Sequence, residues 1–385
     1  MSELTQSDIG RKRRVLVVTG TRAEFGLLRP VMNAVLDRDE LELLVVAAGS
    51  HLVQPALTFR EVKAEFEVAD SVPMQTAGRI GRVEDVEAVG KGMARFGRSF
   101  SLLDPDWVVV LGDRIEAFAA ASAASIGGWA LAHIHGGDRA EGVADEAMRH
   151  AITKMANLHL PATSGSADRI LRMGEPEDRV FVVGSPAVDG LGVIPEISDE
   201  KFVELGSPEV VVLMHPCGRG DEVEGEEMRL VLEAVAGKRV LVLHPNLDAG
   251  RRGIMDAIHD VDGKQDVVIR EHLERDVFVG LLKRIGQEGG ALVGNSSAGL
   301  IECSELGCPS VDVGIRQSGR ERCQGMTVHV ESGDHASDAL QELCSCIDRG
   351  SAHPYGDGTT GVQIARVLAE LDPTIEGFAR KRCVY

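Results

Sequence analysis

The chain has 385 residues, 44% of them hydrophobic, which is about twice a typical single domain and enough for two buried cores. Against 41 basic residues stand 60 acidic ones, and the resulting charge of −19 repels nucleic-acid phosphates over most of the surface, so no nucleic-acid partner is expected. No apolar run reaches the roughly 18 to 20 residues that span a bilayer, and the basic start MSELTQSDIGRKRR leads into no signal-type apolar stretch, so a cytoplasmic protein without a membrane partner is expected.

Short apolar runs ending in Gly, His or Asp, each followed by a segment of helical spacing, recur along the chain and predict βαβ alternation. The first series is RRVLVVTG (13–20), ELLVVAAGS (42–50), WVVVLGD (107–113), ALAHIHGG (130–137), LHLPAT (158–163) and RVFVVGS (179–185). A loop-like stretch at 188–209 separates it from a second series: VVVLMHP (210–216), RVLVLHP (239–245), DVVIRE (266–271), GALVGN (290–295) and SVDVG (310–314). Continuous rather than alternating hydrophobicity marks parallel strands covered on both faces. The expected fold class is therefore α/β, with two Rossmann-like domains, residues 1–188 and 189–385, whose parallel sheets face a central ligand cleft. A last helix around 360–371 is placed as a return onto the first domain.

In such sheets ligands meet the loops at the carboxyl ends of the strands. The first loop is Thr19-Gly20-Thr21-Arg22-Ala23-Glu24, where glycine admits close backbone approach and Arg22 offers two donors to a phosphate or carboxylate; a surface pair of Arg22 with Glu24 is the plainer alternative. The third predicted strand ends at Gly112-Asp113-Arg114, where Asp113 reads as an acid/base group or as an ordinary N-cap. His133 and His135 share one face of the next strand, and no matched third ligand completes a zinc set; His135 reads as a site residue or as a packed histidine. Asp145 and Glu146 open a helix whose dipole favours acids whatever the function, and they gain interest only alongside Asp113 and His135.

The second series delivers His215-Pro216, His244-Pro245-Asn246 and then Gly294-Asn295-Ser296-Ser297-Ala298-Gly299-Leu300-Ile301-Glu302. Small hydroxyl and glycine residues at a helix start bind diphosphates through backbone N–H groups, and Glu302 is placed to accept from ribose hydroxyls; a Ser N-cap with close helix packing is the alternative. Seven cysteines, an odd number without paired spacing, read as mostly reduced core thiols, and Cys344 and Cys346 point apart on a predicted helix.

Taken in order, TGTRAEFGLLRP, VVVLGDR, HIHGGDRAEG, DEAMRHAITKMANLH, FVVGSPAVD, GNSSAGLIE and IRQSGR resemble the hydrolysing UDP-N-acetylglucosamine 2-epimerases, over about residues 14–325. The resemblance implies a GT-B-like fold, no metal or other cofactor, a UDP-sugar substrate and a homo-oligomer, dimer or tetramer. It implies anti elimination of UDP through a 2-acetamidoglucal, followed by addition of water to give N-acetylmannosamine. It also implies that Arg22, Arg114, His215, Asn246, Ser296, Ser297, Glu302 and Arg316 hold UDP, and that Asp113, His135, Asp145 and Glu146 serve acid/base chemistry. Departures at His135, Asp138, Ala298 and Ile315 surround the sugar more than the nucleotide. The alternatives are a non-hydrolysing epimerase releasing UDP-N-acetylmannosamine, the same chemistry on a 2,4-diacetamido sugar nucleotide, a glycosyltransferase on the same scaffold, and a sugar-nucleotide-binding protein without catalysis.

Overall fold

A computed structural model describes residues 11–54, 56–79, 81–139, 146–246, 250–346 and 353–384. Twelve strands form two separate parallel six-stranded sheets. The first holds β1 (Arg13–Thr19), β2 (Leu41–Ala48), β3 (Val68–Val72), β4 (Trp107–Leu111), β5 (Ala130–Ile134) and β6 (Leu158–Leu160), in the order β3-β2-β1-β4-β5-β6. The second holds β7 (Val210–Leu213), β8 (Val240–Leu243), β9 (Val267–Arg270), β10 (Ala291–Gly294), β11 (Ser310–Val313) and β12 (Thr327–Val330), ordered β12-β11-β10-β7-β8-β9. Read from its first strand, each sheet repeats the same doubly wound order.

The pleat explains why these strands are apolar throughout. In β1, Val15 and Val17 enter one core with Phe25, Leu28 and Met32 of the helix Arg22–Leu36, while Leu16 and Val18 enter another with Phe96 and Phe100 of the helix Arg82–Leu103. In β7, Val210 and Val212 pack with Met228 and Ile254, while Val211 and Leu213 pack with Leu281 and Ile285.

Of the described residues, those within 11–138, 146–189 and 358–384 form one compact unit and those within 190–357 form the other. The helix Thr360–Glu370 belongs to the first unit and packs against Arg22–Leu36. Gly361 lies so close to the Pro30 carbonyl that a Cβ there would fall 2.5 Å from its oxygen. Asp189, the last residue of this unit before the chain enters the other, caps the returning helix by accepting from the main-chain N–H groups of Thr360 (2.9 Å) and Gly361 (2.6 Å).

Two strands, β3 and β12, lack contiguous apolar runs because they are half-exposed edges of their sheets. The predicted strand at 179–185 is reduced to the bridge His159–Val180, with the Phe181 and Val183 N–H groups donating to the His159 (3.0 Å) and Pro161 (3.1 Å) carbonyls. Its neighbour β6 has three residues and is followed by Pro161, which has no N–H to continue a ladder. Cys303, Cys308 and Cys323 are buried thiols, Cys217 is half-buried and Cys383 is exposed. Among the described residues no helix is long and apolar enough to cross a membrane.

Candidate active site

Strand order reverses between β1 and β4 in the first sheet and between β7 and β10 in the second, and loops diverging from such a point leave a crevice. The candidate residues fall at these places for that topological reason.

In the first unit, Asp113 and Arg114 follow β4. Arg114 stands at the N-cap position of the helix Ile115–Gly127 with no side-chain bond to the helix N–H groups, and Asp113 lies one residue too early for the predicted N-cap role. Asp113 is instead ion-paired with Nη2 of Arg149, a buried guanidinium on the helix Glu146–Met155. Nη1 of Arg149 reaches Glu146 Oε2 and the main-chain oxygen of Asp138, both at 3.2 Å. Glu146 also bonds His150 Nε2 at 3.0 Å. One guanidinium thus gathers two of the predicted carboxylates, Asp113 and Glu146, while Asp145 lies outside the described residues.

Asp138 ties His135 to this array, for His135 Nδ1 lies 2.8 Å from Asp138 Oδ2. The second ring nitrogen lies 2.9 Å from Ser185 Oγ. His133, one pleat back, is inside the fold: burial pushes its pKa down to about 3, and Nε2 bonds the Gly112 carbonyl at 2.8 Å. It is therefore a neutral packing group that fastens β5 to the end of β4.

Arg22 opens its helix after the Thr21 cap and pairs with Glu61 at 3.3 Å, on a half-exposed surface, rather than with Glu24. Glu24 turns inward, accepts from the Gly20 N–H at 2.7 Å, and is pushed up to about 8 by burial, aided by the charge of Glu116. Glu116 is likewise raised by burial, and Arg114 acts on both carboxyls in the opposite direction.

In the second unit, Asn295 closes the gap between β7 and β10. Its Oδ1 accepts from the His215 N–H at 2.6 Å and its Nδ2 donates to the His215 carbonyl at 2.8 Å. Arg316 and Gln317 both donate to the Asn295 carbonyl, at 3.1 and 2.8 Å. His215 Nδ1 accepts from the Asn246 N–H at 3.2 Å, and its pKa falls to about 3 through burial and the nearby Arg316 charge. A neutral His215 whose Nδ1 accepts carries its hydrogen on Nε2, available as a donor. Gly294, at φ 153°, passes so near Leu213 that any side chain there would strike its carbonyl. Ser296 caps the turn Ser297–Gly299 by accepting from the Ala298 N–H at 3.3 Å, and Glu302 opens the short helix Glu302–Glu305.

The structure thus joins Asp113, Glu146 and His135 in one unit and His215, Asn246 and Arg316 in the other. Sequence reading gave no site role to Arg149, Asn295, Gln317, Glu24 or Ser185. Arg149 had a signal, its i, i+3 spacing from Glu146; the pairing of Ser185 with His135, fifty positions apart, had none. Among the described residues no group of three His, Cys, Asp or Glu side chains is arranged to hold a metal ion.

A family model described as UDP-N-acetylglucosamine 2-epimerase matches residues 33–369. The "UDP-N,N'-diacetylbacillosamine 2-epimerase (hydrolyzing)" of Legionella pneumophila is 31% identical over 370 residues, covering 93% of this chain and 96% of that protein. The "UDP-N-acetylglucosamine 2-epimerase" of Neisseria meningitidis serogroup B is 27% identical, covering 86% and 88%. Among solved structures, the N. meningitidis UDP-GlcNAc 2-epimerase bound to UDP-GlcNAc superposes with a TM-score of 0.77 at 18% identity, over 93% of this chain and 100% of that one. An S. aureus MnaA–UDP co-structure gives 0.77 at 19% identity, over 97% and 100%. The two parallel sheets are thus of the GT-B-like kind expected from the sequence.

Proposed function

The chain belongs to the UDP-N-acetylglucosamine 2-epimerase family and is an enzyme acting on a nucleotide sugar; on that premise we propose that it is of the hydrolysing kind, converting UDP-N-acetylglucosamine to N-acetylmannosamine and UDP. The observation that carries the reading is the grouping of Asp113 and Glu146 round Arg149 at strand ends of the first unit. Elimination requires a base for the weakly acidic C2 proton and electrostatic support for the departing diphosphate. Asp113 is assigned to C2 proton transfer, with Asp145, Glu146 and His135 as the further acid/base groups. Arg22, Arg114, His215, Asn246, Ser296, Ser297, Glu302 and Arg316 are assigned to UDP, with His215 Nε2–H and Arg316 as the strongest donors on the second unit's loops. The chemistry calls for no cofactor. A soluble nucleotide-sugar substrate goes with a cytoplasmic place, and the homo-oligomer stays part of the proposal.

A 2,4-diacetamido sugar nucleotide is the second reading, favoured by the named activity of the L. pneumophila relative. Proton NMR in deuterated water decides between them. Free N-acetylmannosamine deuterated at C2, with UDP, is the expected result from UDP-N-acetylglucosamine. Deuterated UDP-N-acetylmannosamine would overturn the hydrolytic step, and turnover confined to the diacetamido substrate would move the assignment to that sugar.

A further inference from the structure

His135 sits in a hydrogen-bonded chain that the acid/base assignment does not by itself require. Asp138 Oδ2 meets Nδ1 of the ring at 2.8 Å, Ser185 Oγ meets Nε2 at 2.9 Å, and Ser166 Oγ donates to Asp138 Oδ1 at 2.8 Å. All four residues are buried. The backbone of His135 is left-handed, φ 61°, a conformation that a residue with a Cβ keeps only where its surroundings over-determine it. Those surroundings are explicit. Gly137, at φ 75°, rests on the Ser166 carbonyl with no room for a side chain, and its own carbonyl accepts from Arg169 Nε at 2.6 Å.

The partners differ in kind. An ionised carboxylate only accepts, so Asp138 fixes a hydrogen on Nδ1 in both protonation states of the ring. A hydroxyl both donates and accepts, so Ser185 donates to Nε2 when the ring is neutral and accepts from it when the ring is charged. His135 can therefore change protonation state with every ring hydrogen bond kept and no rotamer change. We propose that Asp138 and Ser185 are positioning residues for His135, holding it as the second proton-transfer group of the epimerase site, with the Ser185 hydroxyl as the relay to Nε2. In the relay, Nε2–H passes its proton to Ser185 Oγ as the serine's own proton is taken up at C2 of the 2-acetamidoglucal, and the return step reverses both transfers; no charge accumulates on the serine.

Among the described residues, the charged and titratable groups facing this chain are His133 on β5, His159 on β6, Glu146 and Arg149 on the helix Glu146–Met155, and Arg169 on the helix Ser164–Arg172. Burial holds His133 neutral, and Arg149 and Arg169 are permanently charged.

The inference rests on the acid/base assignment of His135, and the test separates the two. Full-length protein labelled with 15N-histidine is titrated by NMR, with the His135 signals identified by their loss in His135→Gln. The expected spectrum shows the Nδ1–H tautomer in the neutral form, and in Asp138→Asn, whose amide can donate as well as accept, the Nε2–H tautomer gains. In that variant kcat falls with the tautomer while KM changes less than about threefold, and Asp138→Glu, which keeps the carboxylate, restores the Nδ1–H form. Ser185→Ala lowers kcat by about a hundredfold, the scale of a lost general acid/base step, without moving the tautomer. An unchanged tautomer in Asp138→Asn, the Nε2–H tautomer in the wild type, or full kcat in Ser185→Ala overturns the relay. An enzyme whose His135 holds the Nδ1–H tautomer but whose His135→Gln variant keeps full kcat defeats the acid/base assignment instead.

Discussion

Glutamate 24 offers the sharpest quantitative test of the site's electrostatics. It is 5% exposed, it accepts from the Gly20 N–H at 2.7 Å, and burial with the neighbouring Glu116 carboxyl raises its pKa from 4.5 to about 8. Below pH 4.5 the folded and unfolded chains both hold this proton. As pH rises from 4.5 to 8 the unfolded chain releases it and the folded chain does not, so stability is lost progressively and levels off above 8. At about 1.4 kcal/mol for each tenfold change in proton affinity, the full loss is about 5 kcal/mol. For a unit of this size that corresponds to a fall in Tm of roughly 10 to 20 °C. In Glu24→Gln the amide oxygen can keep the Gly20 bond, and the amide N–H is brought near Glu116, whose Oε2 is buried without a hydrogen-bond partner. The variant is expected to melt with a much flatter pH dependence, most of that difference having gone, when followed by circular dichroism from pH 5 to 9. Parallel curves for variant and wild type would refute the argument that Glu24 enters the fold as a neutral acid.

Asp113→Asn keeps the size of the side chain but removes the charge facing Arg149, and kcat is expected to fall by about 10² to 10⁴ while UDP binding, measured by calorimetry, stays within about threefold. Asn295→Ala removes both bonds to the His215 main chain and should weaken UDP about tenfold, with unit 1 melting unchanged; unaltered UDP affinity would show that the β7–β10 clasp does not shape the nucleotide site. Gly294→Ala drives a Cβ into the Leu213 carbonyl at φ 153° and should cost about 2 kcal/mol or more in urea unfolding. Glu175 is buried, and although burial alone would raise its pKa, the bonds from His159 (3.0 Å), Lys154 (2.6 Å) and Lys381 prevail and hold it near 2. Its contribution is full above pH 4.5 and lost as pH falls toward 2, so Glu175→Gln should be several kcal/mol less stable at pH 7 and differ least from wild type near pH 2.

The sequence by itself determined the α/β class and the central strands, because a parallel strand covered on both faces must be apolar at every position, as Val15 to Val18 and Val210 to Leu213 are. It also determined which loops carry chemistry, since Gly112-Asp113-Arg114, His135 and Asn295-Ser296-Ser297 stand directly after such runs. Edge strands β3 and β12 escaped that logic, being half-solvated, and the run at 179–185 stops at a single bridge beside β6, where Pro161 has no N–H to return a bond. What each polar residue does was decided by tertiary structure alone. Asp113 and Arg114 are adjacent in the chain, yet one pairs with Arg149 and the charge of the other acts on Glu24 and Glu116; Asp138 and Ser185 meet only through His135; Glu24 turns inward beside Glu116 rather than outward to Arg22. Hydrophobic periodicity is local and survives in any compact fold, whereas a hydrogen bond or an ion pair depends on where two distant segments come to rest.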